Sequence, residues 1–127
     1  MTSEIIVRYS KELGVSISTS KKHNKVLVEF LDLASKSEHS CYPDKTIDNA
    51  WHNFILFTKD YYAFCQRKYN KLIHHNPIDK INEPQIGYLC KYSSKGKSKM
   101  IAQLTTITQA ICDGGGDSCS TCSSDGT

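Results

Sequence analysis

The stretch Asp44 to Tyr69, DKTIDNAWHNFILFTKDYYAFCQRKY, decides how the rest of the chain is read. Within it Ile47, Trp51, Phe54, Ile55, Thr58, Tyr62, Cys65 and Tyr69 recur at three- and four-residue spacing, the mark of one apolar helix face. Asp44 follows Pro43 and is suited to cap the helix N-terminus, because a short carboxylate can accept an otherwise unpaired backbone N–H. Thr58, followed by Lys59 and Asp60, could cap a fresh helix. Two versions therefore stand side by side: one helix over 45–69, or two helices meeting near Thr58.

Working outward, Ser3 to Leu13 has apolar residues at 5, 6, 9 and 13, with Ser3 and Gly14 suited to the two ends of a helix. Val15 to Ser20 alternates apolar and polar and reads as an extended linker or a very short strand. A second helix is expected over Lys21 to Ser35, with Val26, Leu27, Phe30, Leu31 and Ala34 as its stripe. Ser37 to Asp44 reads as a polar loop. On the far side, Pro77 disfavours helix at Asn76, so His74 to Pro77 reads as loop. Pro84 and Gly87 mark more loop, and Tyr92 to Lys99 reads as a solvated connection. Ser98 can cap a last helix with positions 100, 101, 104, 107, 108 and 111 on one face. Gly114, Gly115 and Gly116 end it, and Asp117 to Thr127 is too polar to fold alone. The expectation is a mainly α fold: a small single-domain helical bundle around Trp51, Phe54, Phe30 and Leu104 over 1–112. A disordered Gly/Ser/Cys-rich tail over 113–127 follows it.

The 127 residues carry sixteen Lys plus Arg against thirteen Asp plus Glu, a net charge of +3. That mild excess does not argue for a nucleic-acid partner, which calls for a concentrated basic footprint. The run Ile5-Ile6-Val7 is too short for a signal core, and no apolar stretch nears the roughly 20 residues of a membrane span. A cytoplasmic address is expected, where thiols stay reduced. The six cysteines (41, 65, 90, 112, 119 and 122) are then core thiols, metal ligands or redox groups before they are disulfides.

The pattern Asp48-x-x-Trp51-His52-x-Phe54-Ile55-Leu56-x-Thr58-x-x-Tyr61-x-x-Phe64-Cys65, followed by Ile73-His74-His75-x-Pro77, resembles the glycine-rich-domain-containing-protein-like family in its short bacterial form. The similarity extends loosely over Val26 to Pro43, and short members of that family often end in a Gly/Cys-rich tail. The resemblance implies the domain and carries no activity with it. Many relatives read Trp-His-x-His; here the second position is Phe54.

Histidine and cysteine are the usual ligands of zinc and its neighbours. The candidates in the helical region are His52, Cys65, His74 and His75. Asp48, four residues before His52, shares its helix face as a ligand or as an orienting acceptor. In one unbroken helix His52 and Cys65 would be about 20 Å apart and could not share an ion. A break near Thr58 removes that objection. In the tail, Cys119-x-x-Cys122 has the spacing of half a zinc site or a redox pair, and Cys112 could add a third thiolate.

The function expected from these residues is that of a non-enzymatic binding or accessory protein with transition-metal affinity, zinc for example, through His and Cys. Its partner would be another protein or a modifying enzyme. The alternative is the precursor of a ribosomally made, modified peptide. In that reading a helical leader ends at Gly114–Gly116, and the core holds Ser118, Cys119, Ser120, Thr121, Cys122, Ser123 and Ser124.

Overall fold

The computed structural model describes residues 1–78, 83–108 and 119–124; for 77, 78 and 119–124 the description is of the backbone. Four helices come first. Helix α1 (Ser3–Leu13) ends at Gly14, whose φ of 65° is the left-handed conformation that favours glycine. Helix α2 spans Ile17–Lys36, and the Ser16 side chain accepts the Thr19 N–H at its start. The alternating Val15–Ser20 segment thus belongs largely to a helix: a good N-cap outweighs a six-residue apolar alternation.

Strand β1 (Ser40–Pro43) leads into α3 (Lys45–Leu56), and Asp44 caps that helix by accepting the Ile47 N–H. The same side chain accepts the Tyr92 N–H at 2.8 Å, and the Asp44 N–H bonds the Cys90 carbonyl at 2.8 Å. One residue therefore starts a helix and fixes it to the sheet. The chain breaks at Phe57 (φ −89°, ψ 70°) before α4 (Thr58–Tyr69), so the two-helix version of this region is the one observed. Asn70, at φ 57°, ends α4.

After α4 the structure departs from an all-helical bundle. Strands β2 (Ile73–Ile78), β3 (Gln85–Ser93), β4 (Lys99–Ile107) and β5 (Cys119–Ser124) follow. One sheet has the order β1-β3-β4, with β1 parallel to β3 and β3 antiparallel to β4; β2 and β5 form a second, antiparallel pair. The fold is α/β, and the all-α expectation is corrected on several counts. Residues 99–107 are strand, not the last helix. His74–Pro77 and Gly87 lie in strands, not loops. Cys119–Ser124 of the expected tail is a strand lying against β1 and α2. The 112/113 boundary and the Gly114–Gly116 run fall outside the described residues.

The core lies among α1, α2, α3 and α4 and the inner faces of the strands. Trp51, Phe30, Phe54, Leu27, Ile47 and Ile73 are fully buried or nearly so, and the Trp51 and Phe30 rings meet edge-to-face at 5.2 Å. Leu104, expected in the core, is 48% exposed on β4. The buried indole N–H donates to Tyr61 Oη at 3.0 Å, and Tyr61 donates to the Ile73 carbonyl, linking α3, α4 and β2. Arg8 donates to Asn53 Oδ1 at 2.7 Å, and Asn53 donates to the Ile5 carbonyl, joining α1 to α3. Gly87 permits the β1–β3 approach: a Cβ there would stand 2.9 Å from both the Ser40 carbonyl oxygen and Tyr42 Cε1. No described helix is long and apolar enough to cross a membrane.

Candidate metal centre

Asp48 lies in the first turn of α3, where the helix dipole favours a carboxylate. His52, one turn later, projects from the same face, with Nε2 3.5 Å from Asp48 Oδ2. The third member arrives from a distant element. Side chains alternate along a strand, so β2 buries Ile73, leaves His74 exposed and turns His75 inward. His75 Nε2 comes to 2.7 Å from Asp48 Oδ1. The two imidazoles meet edge-to-face at 4.4 Å, and the Trp51 ring lies 4.3 Å from that of His75.

One potential ligand atom from each of Asp48, His52 and His75 falls within 4.8 Å of the others. The site has a buried side and an open side: His75 is 11% exposed and Asp48 18%, while His52 is 62% exposed. Two imidazoles and a carboxylate suit zinc or another first-row divalent ion. An ion about 2 Å from each donor would replace the short His75–Asp48 contact with two coordinate bonds, after small side-chain rotations. Three protein donors leave a tetrahedral ion one further position.

Of the other residues singled out from the sequence, His74 faces away from this cluster and Cys65 lies outside it. Cys65 is buried on α4, and burial pushes its thiol up, against the lowering effect of hydrogen bonds with the Ile73 backbone and the Tyr61 side chain. A raised thiol holds its proton and behaves as a small apolar side chain. Cys112 lies outside the described residues. Cys119 and Cys122 are on β5, in register with Ile78 and His75.

Sequence reasoning took Trp51 as a core anchor and missed that it also walls the His75 ring; a strand reading of 73–78 would have separated His75 from His74. It also missed a second polar cluster, in which Tyr9 Oη lies 2.7 Å from His23 Nδ1 and the His23 ring packs edge-to-face on Tyr92. Burial, with the nearby Asp44 charge and Tyr92, pushes the Tyr9 phenol up to about 12, and burial lowers His23 against the opposing pull of Asp44. The helical spacing that placed Tyr9 on the inner face of α1 was the available signal.

The sequence model of the UCP032817-like family matches residues 8–88, well over half of the chain. The chain belongs to the UCP032817-like family. No curated protein and no solved structure matches it. The match overturns the resemblance to the glycine-rich-domain-containing-protein-like family: the residues that carried it, Asp48 to Pro77, lie inside the UCP032817-like match, and nothing indicates the glycine-rich family. All three residues of the candidate centre also lie within the UCP032817-like match.

Proposed function

We propose that the protein is a non-enzymatic binding or accessory protein that holds one divalent transition-metal ion, zinc being the representative case, through Asp48, His52 and His75. The observation that carries this reading is the convergence of three metal-ligating groups from α3 and β2 within 4.8 Å, although His75 is 23 residues beyond His52 in the chain. The half-buried placement supports it further. Asp48 and His75 are held by the fold, and His52 closes the site from the solvent side. A reducing, cytoplasmic setting belongs to the same proposal, with buried Cys65 and Cys90 as free thiols.

The test is zinc titration by calorimetry of the full chain, purified without an affinity tag and stripped with a chelator. One equivalent should bind. His52→Ala should weaken binding at least about tenfold, given that even outer partners of metal ligands are worth 10–100-fold. Because His52 is mostly exposed, its removal should leave the thermal midpoint of the metal-free protein nearly unchanged. Absence of zinc binding by the unsubstituted chain, or equal affinity in the variant, refutes the proposal.

A further inference from the structure

The net charge of +3 conceals an uneven distribution. Two segments, 13–28 and 84–107, carry seven of the sixteen Lys and Arg and none of the thirteen Asp and Glu. The rest of the chain holds nine basic against thirteen acidic residues and is net acidic. The two basic segments are far apart in sequence, and the fold joins them. Lys25 of α2 donates to the Ser98 carbonyl at 3.3 Å, the His23 ring packs on Tyr92 at 4.7 Å, and Tyr92 Oη lies 3.1 Å from Ser98 Oγ. These contacts seat the β3–β4 hairpin on the first half of α2. Lys95 and Lys97 stand in its turn, on either side of Gly96. Lys91 and Lys99 lie on the outer face of the ladder, paired with Ile101 and Ser93, while Cys90, Tyr92 and Met100 pack toward the core. Lys21 and Lys22 are one helical turn before Lys25. All seven lysines are exposed. Among the described residues none of them is in a salt bridge, whereas Arg8 and Lys68 elsewhere are. Asp44, the carboxylate that touches the hairpin, accepts the Ile47 and Tyr92 N–H groups.

We propose that this end of the molecule, the β3–β4 hairpin with the Lys21–Lys25 part of α2, docks on the phosphate backbone of double-stranded DNA without reading base sequence. A concentrated, unpaired positive surface is the electrostatic footprint of a nucleic-acid partner, and here the fold produces it where the composition alone does not. Lysine meets phosphate as a point charge and lacks the planar fork with which arginine reads guanine; no arginine is among the seven. Single strands are held by exposed aromatic rings on which bases stack. Tyr92, the aromatic residue next to the turn, is instead engaged by His23 and Ser98. A membrane surface is gripped through apolar anchors beside the basic residues, and the turn Ser94-Lys95-Gly96-Lys97-Ser98 has none. Duplex DNA presents about one negative charge per 1.7 Å of axis, and its major groove admits a two-stranded β-ribbon. The surface is separate from the candidate metal centre, whose residues lie on α3 and β2.

The full chain is titrated into a fluorescein-labelled, mixed-sequence duplex of about 24 base pairs, and anisotropy is followed at salt concentrations from about 25 to 150 mM. With about four to six of the lysines at phosphates, log affinity should fall against log salt with a slope of about −4 to −5. The double variant Lys95→Gln, Lys97→Gln changes two exposed turn residues. It should make the slope shallower by about 2 and weaken binding at about 50 mM salt at least about tenfold. The double variant Lys59→Gln, Arg67→Gln removes the same charge from exposed positions on α4, which packs against α3, and should leave the slope unchanged. No binding at the lowest salt, equal losses in the two variants, or tighter binding of the same sequence as a single strand overturns the proposal. Tighter binding of duplex RNA, or adherence to phosphatidylserine vesicles where the DNA duplex is not bound, overturns it as well.

Discussion

Replacing Trp51 by alanine tests the packing on which both the core and the candidate centre depend. The indole is fully buried, packs against Phe30 at 5.2 Å and donates to Tyr61. Truncating a buried aromatic to alanine costs about 3–5 kcal/mol. The lost hydrogen bond argues for the upper half of that range, by about 0.5–1.5 kcal/mol. It adds no more because Tyr61 keeps its bond to the Ile73 carbonyl. Trp51→Phe should cost less, about 1–2 kcal/mol, since most of the ring contact survives and the N–H does not. Trp51 is the one tryptophan in the chain, so unfolding is followed by far-ultraviolet circular dichroism in a urea titration. Free energies come from linear extrapolation at a common slope. A loss under about 1 kcal/mol for Trp51→Ala would refute the packing argument. Equal losses for the two variants would refute the ranking of contact over hydrogen bond.

Gly87→Ala should lower stability by about 1–3 kcal/mol, because its Cβ would press on the Ser40 carbonyl; an unchanged urea midpoint would count against the close β1–β3 approach. His23 sits below its ordinary value of 6.5, so the unfolded chain takes up its proton first. Its contribution is present above about pH 6.5 and is lost as pH falls through the lower, folded value. Thermal midpoints measured from pH 7.5 to 5 should therefore fall more steeply for the unsubstituted protein than for His23→Gln; parallel curves would contradict this. Removing residues 119–127 should lower the thermal midpoint of the metal-free protein by about 4 °C or more, the equivalent of about 1 kcal/mol, because β2 loses its paired strand. A midpoint changed by less than about 1 °C would mean that β5 adds nothing without metal.

The helical half of the fold was legible because its signals are local. Asp44 as a cap, Phe30, Trp51 and Phe54 as core, and the choice of one or two helices over 45–69 all follow from residues within a few turns of one another. The sheet half was not. Strand β4 buries little, with Ile101 and Leu104 both exposed, so it lacks the alternation that announces a half-buried strand. Its apolar residues at 100, 101, 104 and 107 happen to fit a helix, and the β-branched Ile101, Thr105, Thr106 and Ile107 were the contrary sign. Pro77 argued for loop, yet proline is tolerated at sheet edges, and in the two-stranded β2–β5 sheet each strand has an edge. At the centre, Asp48 and His52 were readable as helix neighbours. The arrival of His75 depends on where β2 runs, which no local pattern encodes.

The bonds from Asp44 to Cys90 and Tyr92 also bear on the order of folding. The Tyr92 bond spans a sequence separation of 48, and β1 must find β3 across a similar distance. Closing a loop of that length carries an entropic cost of about 3 kcal/mol before any constant term. The contacts that repay it, a four-residue parallel ladder and the cap bonds, form only after the ends have met. Contacts of high sequence separation slow folding. The helix pair α3–α4, with only Phe57 between its members, needs no such search and can be in place first. The sheet is then the late-forming part of the molecule, and Asp44 is the point at which an early helical unit becomes committed to it.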